Sequence, residues 1–194
     1  NRAGELMPIM EDEHGTYIMN SKDLRAIEYV ERLTQIGVNS LKIEGRTKSQ
    51  YYVARTAQTY RRAIDDAAAG RPFNPELLLE LEGLSNRGYT AGFLQRHVSQ
   101  DTQNYITGNS EAKRSQFVGQ VLSVENGWGL VEVKNHFEVQ DRLEIIHPQG
   151  NLSLTLAAMM NPNNEPITVA AGSGVLVKIP LAESYSGAML AKLF

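Results

Sequence analysis

The chain has 194 residues, 42% of them apolar and 21% charged, which is the make-up of a globular protein with one or two real cores. It contains no cysteine, so disulfides, thiol nucleophiles and thiolate metal sites are excluded within it. The net charge of -3 gives no overall case for a polyanionic partner, but the charge is uneven. Residues 21–72 hold 10 Lys and Arg against 6 Asp and Glu, while residues 117–194 hold 4 against 7. The basic first half is therefore the better candidate for a phosphate-bearing ligand, with solvated helix faces as the plain alternative.

In chain order, apolar runs at 5–10 and 16–19 flank Glu11-Asp12-Glu13-His14-Gly15 and predict a β-hairpin with an acidic tip. A helix is expected from about residue 22, with Leu24, Ile27, Val30 and Leu33 on its apolar face and Gly37 as its C-cap. Residues 39–44 alternate in the manner of a short strand, with Leu41 and Ile43 apolar. A second helix is predicted over about 49–69, burying Tyr52, Val53, Thr56, Tyr60, Ala63, Ile64 and Ala67 and ending at Gly70-Arg71-Pro72. Tyr51, Tyr52 and Tyr60 beside arginines could stack on RNA or pack in a core, and helical spacing favours the core. Asn74-Pro75-Glu76 opens a short leucine-rich helix. Residues 89–116 read as a polar connector with a helical piece near 92–96, and residues 104–110 as its softest part.

The last part changes character. Residues 117–124 and 129–133 are strand-like around Glu125-Asn126-Gly127, a hairpin turn. Further strands are expected at 142–146, 152–157 and 174–179, giving a small antiparallel β-barrel or sandwich. Trp128 is either an exposed contact or a plug of that barrel. The fold class is thus α/β followed by all-β, with domains at 1–104 and 105–194.

Peptidase machinery is absent: no cysteine, no His-Glu-x-x-His helix, no Gly-x-Ser-x-Gly elbow. His14, His97, His136 and His147 are scattered, and none completes a nucleophile, base and orienter set. What remains is the group where the predicted strand ends and the next helix begins. Glu44 is the candidate catalytic base, with hydroxyl binding or ion pairing as its alternatives. Lys42, Arg46 and Lys48 are candidate substrate-binding cations, Arg46 through its planar fork and Lys48 as a point charge at a helix start. Arg55, two helical turns on, is a weaker candidate. A functional anion site and a structural ion-pair cluster fit these residues about equally.

Several separated motifs resemble one family. Residues 15–24 (Gly-Thr-Tyr-Ile-Met-Asn-Ser-Lys-Asp-Leu), 40–46 (Ser-Leu-Lys-Ile-Glu-Gly-Arg), 51–54 (Tyr-Tyr-Val-Ala), Tyr60-Arg61 and 86–93 (Asn-Arg-Gly-Tyr-Thr-Ala-Gly-Phe) are similar to the collagenase-like peptidases of family U32. Residues 55–70 are most similar to its branch that forms 5-hydroxyuridine in bacterial tRNA. The resemblance implies that this is a C-terminal fragment, as the opening Asn1-Arg2-Ala3 also suggests. It implies the last strand-helix units of a (β/α) barrel followed by the family's β-domain. The implied activity is prephenate-dependent hydroxylation of the wobble uridine, in the cytoplasm, with tRNA as partner and prephenate as co-substrate. An iron–sulfur cluster is expected from cysteines in the preceding part, with no cofactor or metal bound by this chain, which would then be inactive alone. The family name implies a collagenase-like peptidase instead. A third reading is a non-catalytic module whose β-domain binds RNA or a protein partner. No segment is long and apolar enough to span a membrane.

Overall fold

The computed structural model describes residues 10–12, 15–17, 22–84, 86, 88–94 and 115–194, with backbone alone for 10–12 and 15–17. The chain divides into two compact units, Asn1–Lys42 with Tyr60–Glu111 and Ile43–Thr59 with Ala112–Phe194.

In the first unit, β1 (Met10–Asp12) pairs antiparallel with β2 (Gly15–Tyr17), as the hairpin pattern predicts. Its tip residues Glu13 and His14, like His97 and the connector over 95–114, lie outside the described residues. The next helix starts later than its apolar spacing suggests. Asp23–Leu24 is a strand, β3, parallel to β4 (Tyr89–Thr90), and a 3-10 turn at Ile27–Tyr29 leads into α1 (Val30–Gln35). Leu24 is consequently exposed, while Ile27 and Val30 are buried. Gly37 does end α1. Its φ of 85° lets the Val38 N–H reach back to the Leu33 carbonyl at 3.0 Å.

The strand expected at 39–44 is not formed. Residues 38–45 run without regular structure, and among the described residues no strand pairs with them. Alternation marks residues that could line a sheet, but a strand exists only where a neighbour takes up its N–H and C=O groups. Leu41 is half-buried and Ile43 is exposed. The described parallel ladder is two strands, not a (β/α) barrel.

Helix α2 (Gln50–Ala68) forms nearly as predicted, and Gly70 at φ 69° closes it with Arg71 N–H on the Asp66 carbonyl at 2.8 Å. Its residues 60–68 belong to the first unit, where the Tyr60 hydroxyl accepts the Ala26 N–H at 2.8 Å and Ala63 is buried. Helix α3 (Glu76–Glu82) starts where Asn74 accepts the Glu76 N–H at 3.0 Å, and it buries Leu77 and Leu81.

The second unit is all-antiparallel apart from its share of α2. Its strands are β5 (Ser115–Glu125), β6 (Trp128–Val133), β7 (Phe137–Glu138), β8 (Arg142–Ile146), β9 (Leu152–Thr155), β10 (Met159–Met160), β11 (Pro166–Ile167), β12 (Val169–Ala170), β13 (Leu176–Pro180) and β14 (Met189–Leu193). Eight of them form one curled sheet in the order β11-β10-β13-β6-β5-β14-β8-β9, and β7 pairs with β12. The sheet is open at β11 and β9, so a closed β-barrel gives way to a curled sheet. Asn126 and Gly127, at φ 53° and 79°, make the two-residue turn read from the sequence. Val118, Val121, Val131, Val133, Phe137 and Leu190 lead the core between the curled faces. Trp128 is not a plug: it is half-buried and alternates with the buried Gly129 and Val131.

Candidate functional site

The start of α2 is built by three local features of the second unit. At Gly45 an added Cβ would lie 2.9 Å from a Val53 methyl, so a larger residue there would force that side chain to shift. The Lys48 N–H then donates to the Gly45 carbonyl at 2.9 Å, closing a turn. Ser49 caps the helix, its Oγ accepting the Tyr52 N–H at 3.2 Å. Arg46 and Glu44 are exposed on this turn, and the Lys48 ammonium lies over the Tyr52 ring at 4.7 Å. The structure thus brings Arg46, Lys48 and Tyr52 to the positive end of a 19-residue helix. Lys42 is exposed and belongs to the first unit.

Arg55 sits elsewhere. It is 7% exposed, and its guanidinium pairs with Glu144 of β8 at 3.0 Å. Glu144 also accepts from Asn151 at 3.0 Å. Asn151 and Gln58 exchange amide hydrogen bonds of 2.8 and 3.1 Å, and Gln58 donates to the His147 carbonyl at 3.2 Å. Nearer the helix start, Tyr51 stacks on Phe117 with ring centres 5.4 Å apart, and its hydroxyl meets Ser115 Oγ at 3.0 Å. Burial pushes the Tyr51 phenol above its ordinary pKa, against the opposing pull of the Ser115 hydrogen bond.

The face of α2 turned inward in the second unit is therefore Tyr51, Arg55, Thr56, Gln58 and Thr59, not the Tyr52 and Val53 expected from apolar content. Val53 is exposed. The signal was available in the spacing i, i+4 and i+7 from Tyr51, but its residues are polar or amphipathic. His147 packs edge-on against Tyr185 at 5.9 Å.

No iron–sulfur cluster fits these residues: the chain lacks cysteine, and among the described residues no three His, Asp or Glu side chains converge as a metal site. No described helix is long and apolar enough to cross a membrane.

A helix start that carries Arg46 and Lys48 stands on an otherwise all-antiparallel unit. Comparison with known proteins assigns its family. Peptidase family U32 matches residues 2–104, and the Peptidase family U32 C-terminal domain matches residues 113–191. The chain belongs to Peptidase family U32. It is 58% identical over 183 residues to tRNA hydroxylation protein P of Escherichia coli (strain K12), covering 94% of this chain and 40% of that protein. The tRNA hydroxylation protein P of Haemophilus influenzae is 52% identical, with 92% and 40% covered. A Collagenase of Porphyromonas gingivalis is 24% identical over 180 residues, with 89% and 49% covered. The chain spans 40% of the length of the first two relatives.

Proposed function

We propose that the chain is the C-terminal part of a cytoplasmic enzyme that hydroxylates the wobble uridine of tRNA to 5-hydroxyuridine, with prephenate as co-substrate. The observation that carries this reading is the 58% identity, across 94% of the chain, to a protein named for tRNA hydroxylation. In this reading the rest of a longer protein completes a (β/α) barrel and brings the cysteines of an iron–sulfur cluster. Residues 105–194 serve as a distinct β-domain. Arg46 and Lys48 grip a phosphate or carboxylate at the start of α2, and Tyr52 orders Lys48. Glu44 takes a proton or binds a substrate hydroxyl. Arg55, committed to Glu144, holds the helix rather than the substrate.

The reading is tested by tRNA binding of the full-length protein at increasing salt. Binding should weaken steeply with salt, and Arg46→Ala and Lys48→Ala should each flatten the salt slope by about 1, the signature of one lost phosphate contact. Salt-independent binding, together with gelatin cleavage that Glu44→Gln abolishes, would overturn it in favour of a peptidase.

A further inference from the structure

The outer face of the curled sheet carries a groove that the reading above does not use. Cross-strand partners set its rows: Glu125, Trp128 and Pro180 in one, and Ser123, Leu130, Lys178 and Met160 in the next. Their neighbours Gly129, Val131 and Ile179 are buried on the core side, so these side chains project the other way. All of them but Pro180 line a depression of about 490 Å³. Its apolar lining residues are Trp128, Leu130 and Met160.

The rim is polar and of mixed sign. Glu125 and Lys178 both line the groove, and among the described residues no ion pair joins them. Lys134 and Lys192 of this unit are paired with Glu132 and Asp141, whereas Lys178 donates to the neutral amide of Asn164 at 2.7 Å. Asn164 is presented by a turn, at φ 65°, in which the Asn161 side chain accepts the N–H groups of Asn163 and Glu165 at 2.9 and 3.0 Å. Asn126 stands at the hairpin tip with φ 53°.

This chemistry selects its ligand. A phosphate would meet the Glu125 carboxylate, and an aliphatic chain would make no polar contact with Lys178, Asn164 or Glu125. A flat heterocycle stacks on indole and carries both donors and acceptors along one edge. We propose that the groove binds an unpaired nucleobase of RNA, stacked on Trp128 with its edge held by Lys178, Asn164 and Glu125. The choice of RNA as the source of the base rests on the tRNA reading. Because this half of the chain is acidic, the grip comes from stacking and edge contacts, not from phosphates.

Trp128 is the single tryptophan of the chain, so its fluorescence reports the groove directly. Titrating the chain with an unstructured oligouridine should quench it saturably, with little change between low and moderate salt. By anisotropy of a labelled oligonucleotide, Trp128→Leu should bind about tenfold more weakly, the size of one lost base stack, while Trp128→Phe retains most affinity. Circular dichroism confirms that each variant is folded. Absence of quenching by RNA, equal quenching by polyphosphate, or unaltered binding by folded Trp128→Leu overturns the proposal, as does quenching by a proline-rich peptide but not RNA. The two readings fail separately. If full-length protein restores 5-hydroxyuridine in a deletion strain yet RNA leaves Trp128 unquenched, only the groove assignment falls. If quenching holds and restoration fails, only the tRNA reading falls.

Discussion

The curled sheet of the second unit and the extended stretch 38–45 share one sequence pattern and reach opposite outcomes. Along β6, Gly129, Val131 and Val133 point inward and are buried, and each residue of the strand has a ladder partner on one or both sides. Over 39–44 the same alternation yields a half-buried Leu41, an exposed Ile43 and no ladder among the described residues. Apolar alternation supplies a face to bury. The neighbouring edge that satisfies the backbone decides whether a strand forms.

Substitutions in the sheet core have the largest expected effect. Phe137 is fully buried, and Phe137→Ala should cost about 3 to 5 kcal/mol in denaturant unfolding. Glu144→Leu leaves the buried Arg55 charge unpaired and should cost about 3 kcal/mol, most of it recovered in the Arg55→Met, Glu144→Leu double variant. Little recovery in that double-mutant cycle would show that the pair does not couple α2 to β8. Gly119→Ala places a Cβ 2.7 Å from a Val131 methyl and 3.0 Å from the Glu132 carbonyl, and overpacking there should cost about 1 to 3 kcal/mol.

Smaller effects sharpen the contrast. Tyr51→Phe loses the Ser115 hydrogen bond, worth about 1 kcal/mol. It should also change the alkaline limb of stability. Burial raises the Tyr51 and Tyr60 phenols above the ordinary tyrosine value, so the folded state favours their protonated forms. Their contribution is complete below about pH 10 and is lost as pH climbs through the raised values. A stability titration of Tyr51→Phe should therefore fall less steeply above that pH. At the far end, Ile43→Ala should stay within about 0.5 kcal/mol of wild type, as at any exposed position outside a ladder.

Much of the fold was legible where one local signal sufficed. Asn126-Gly127, Gly37, Gly70 and Asn74 each act at the turn or cap their residue type predicts. The strands β7, β10, β11 and β12 were not legible, because each has two residues and exists only through its pairing. The buried face of α2 was misread by a residue because Arg55 and Thr59 do there what leucines do elsewhere, Arg55 by pairing with Glu144 and Thr59 by bonding the Arg55 carbonyl at 2.8 Å. Glu44, Arg46 and Lys48 stand out in the sequence by type and spacing alone. That Arg55 leaves them for β8 depends on a residue 89 positions away.

The most direct test of the functional account is nucleoside mass spectrometry of tRNA from a strain lacking the full-length gene. The strain is complemented with wild type or with full-length Glu44→Gln or Arg46→Ala at matched protein levels. The account predicts that wild type restores 5-hydroxyuridine derivatives and that both variants restore far less. Failure of wild type to restore them would contradict the tRNA reading, and full restoration by both variants would contradict the assignment of the helix-start group.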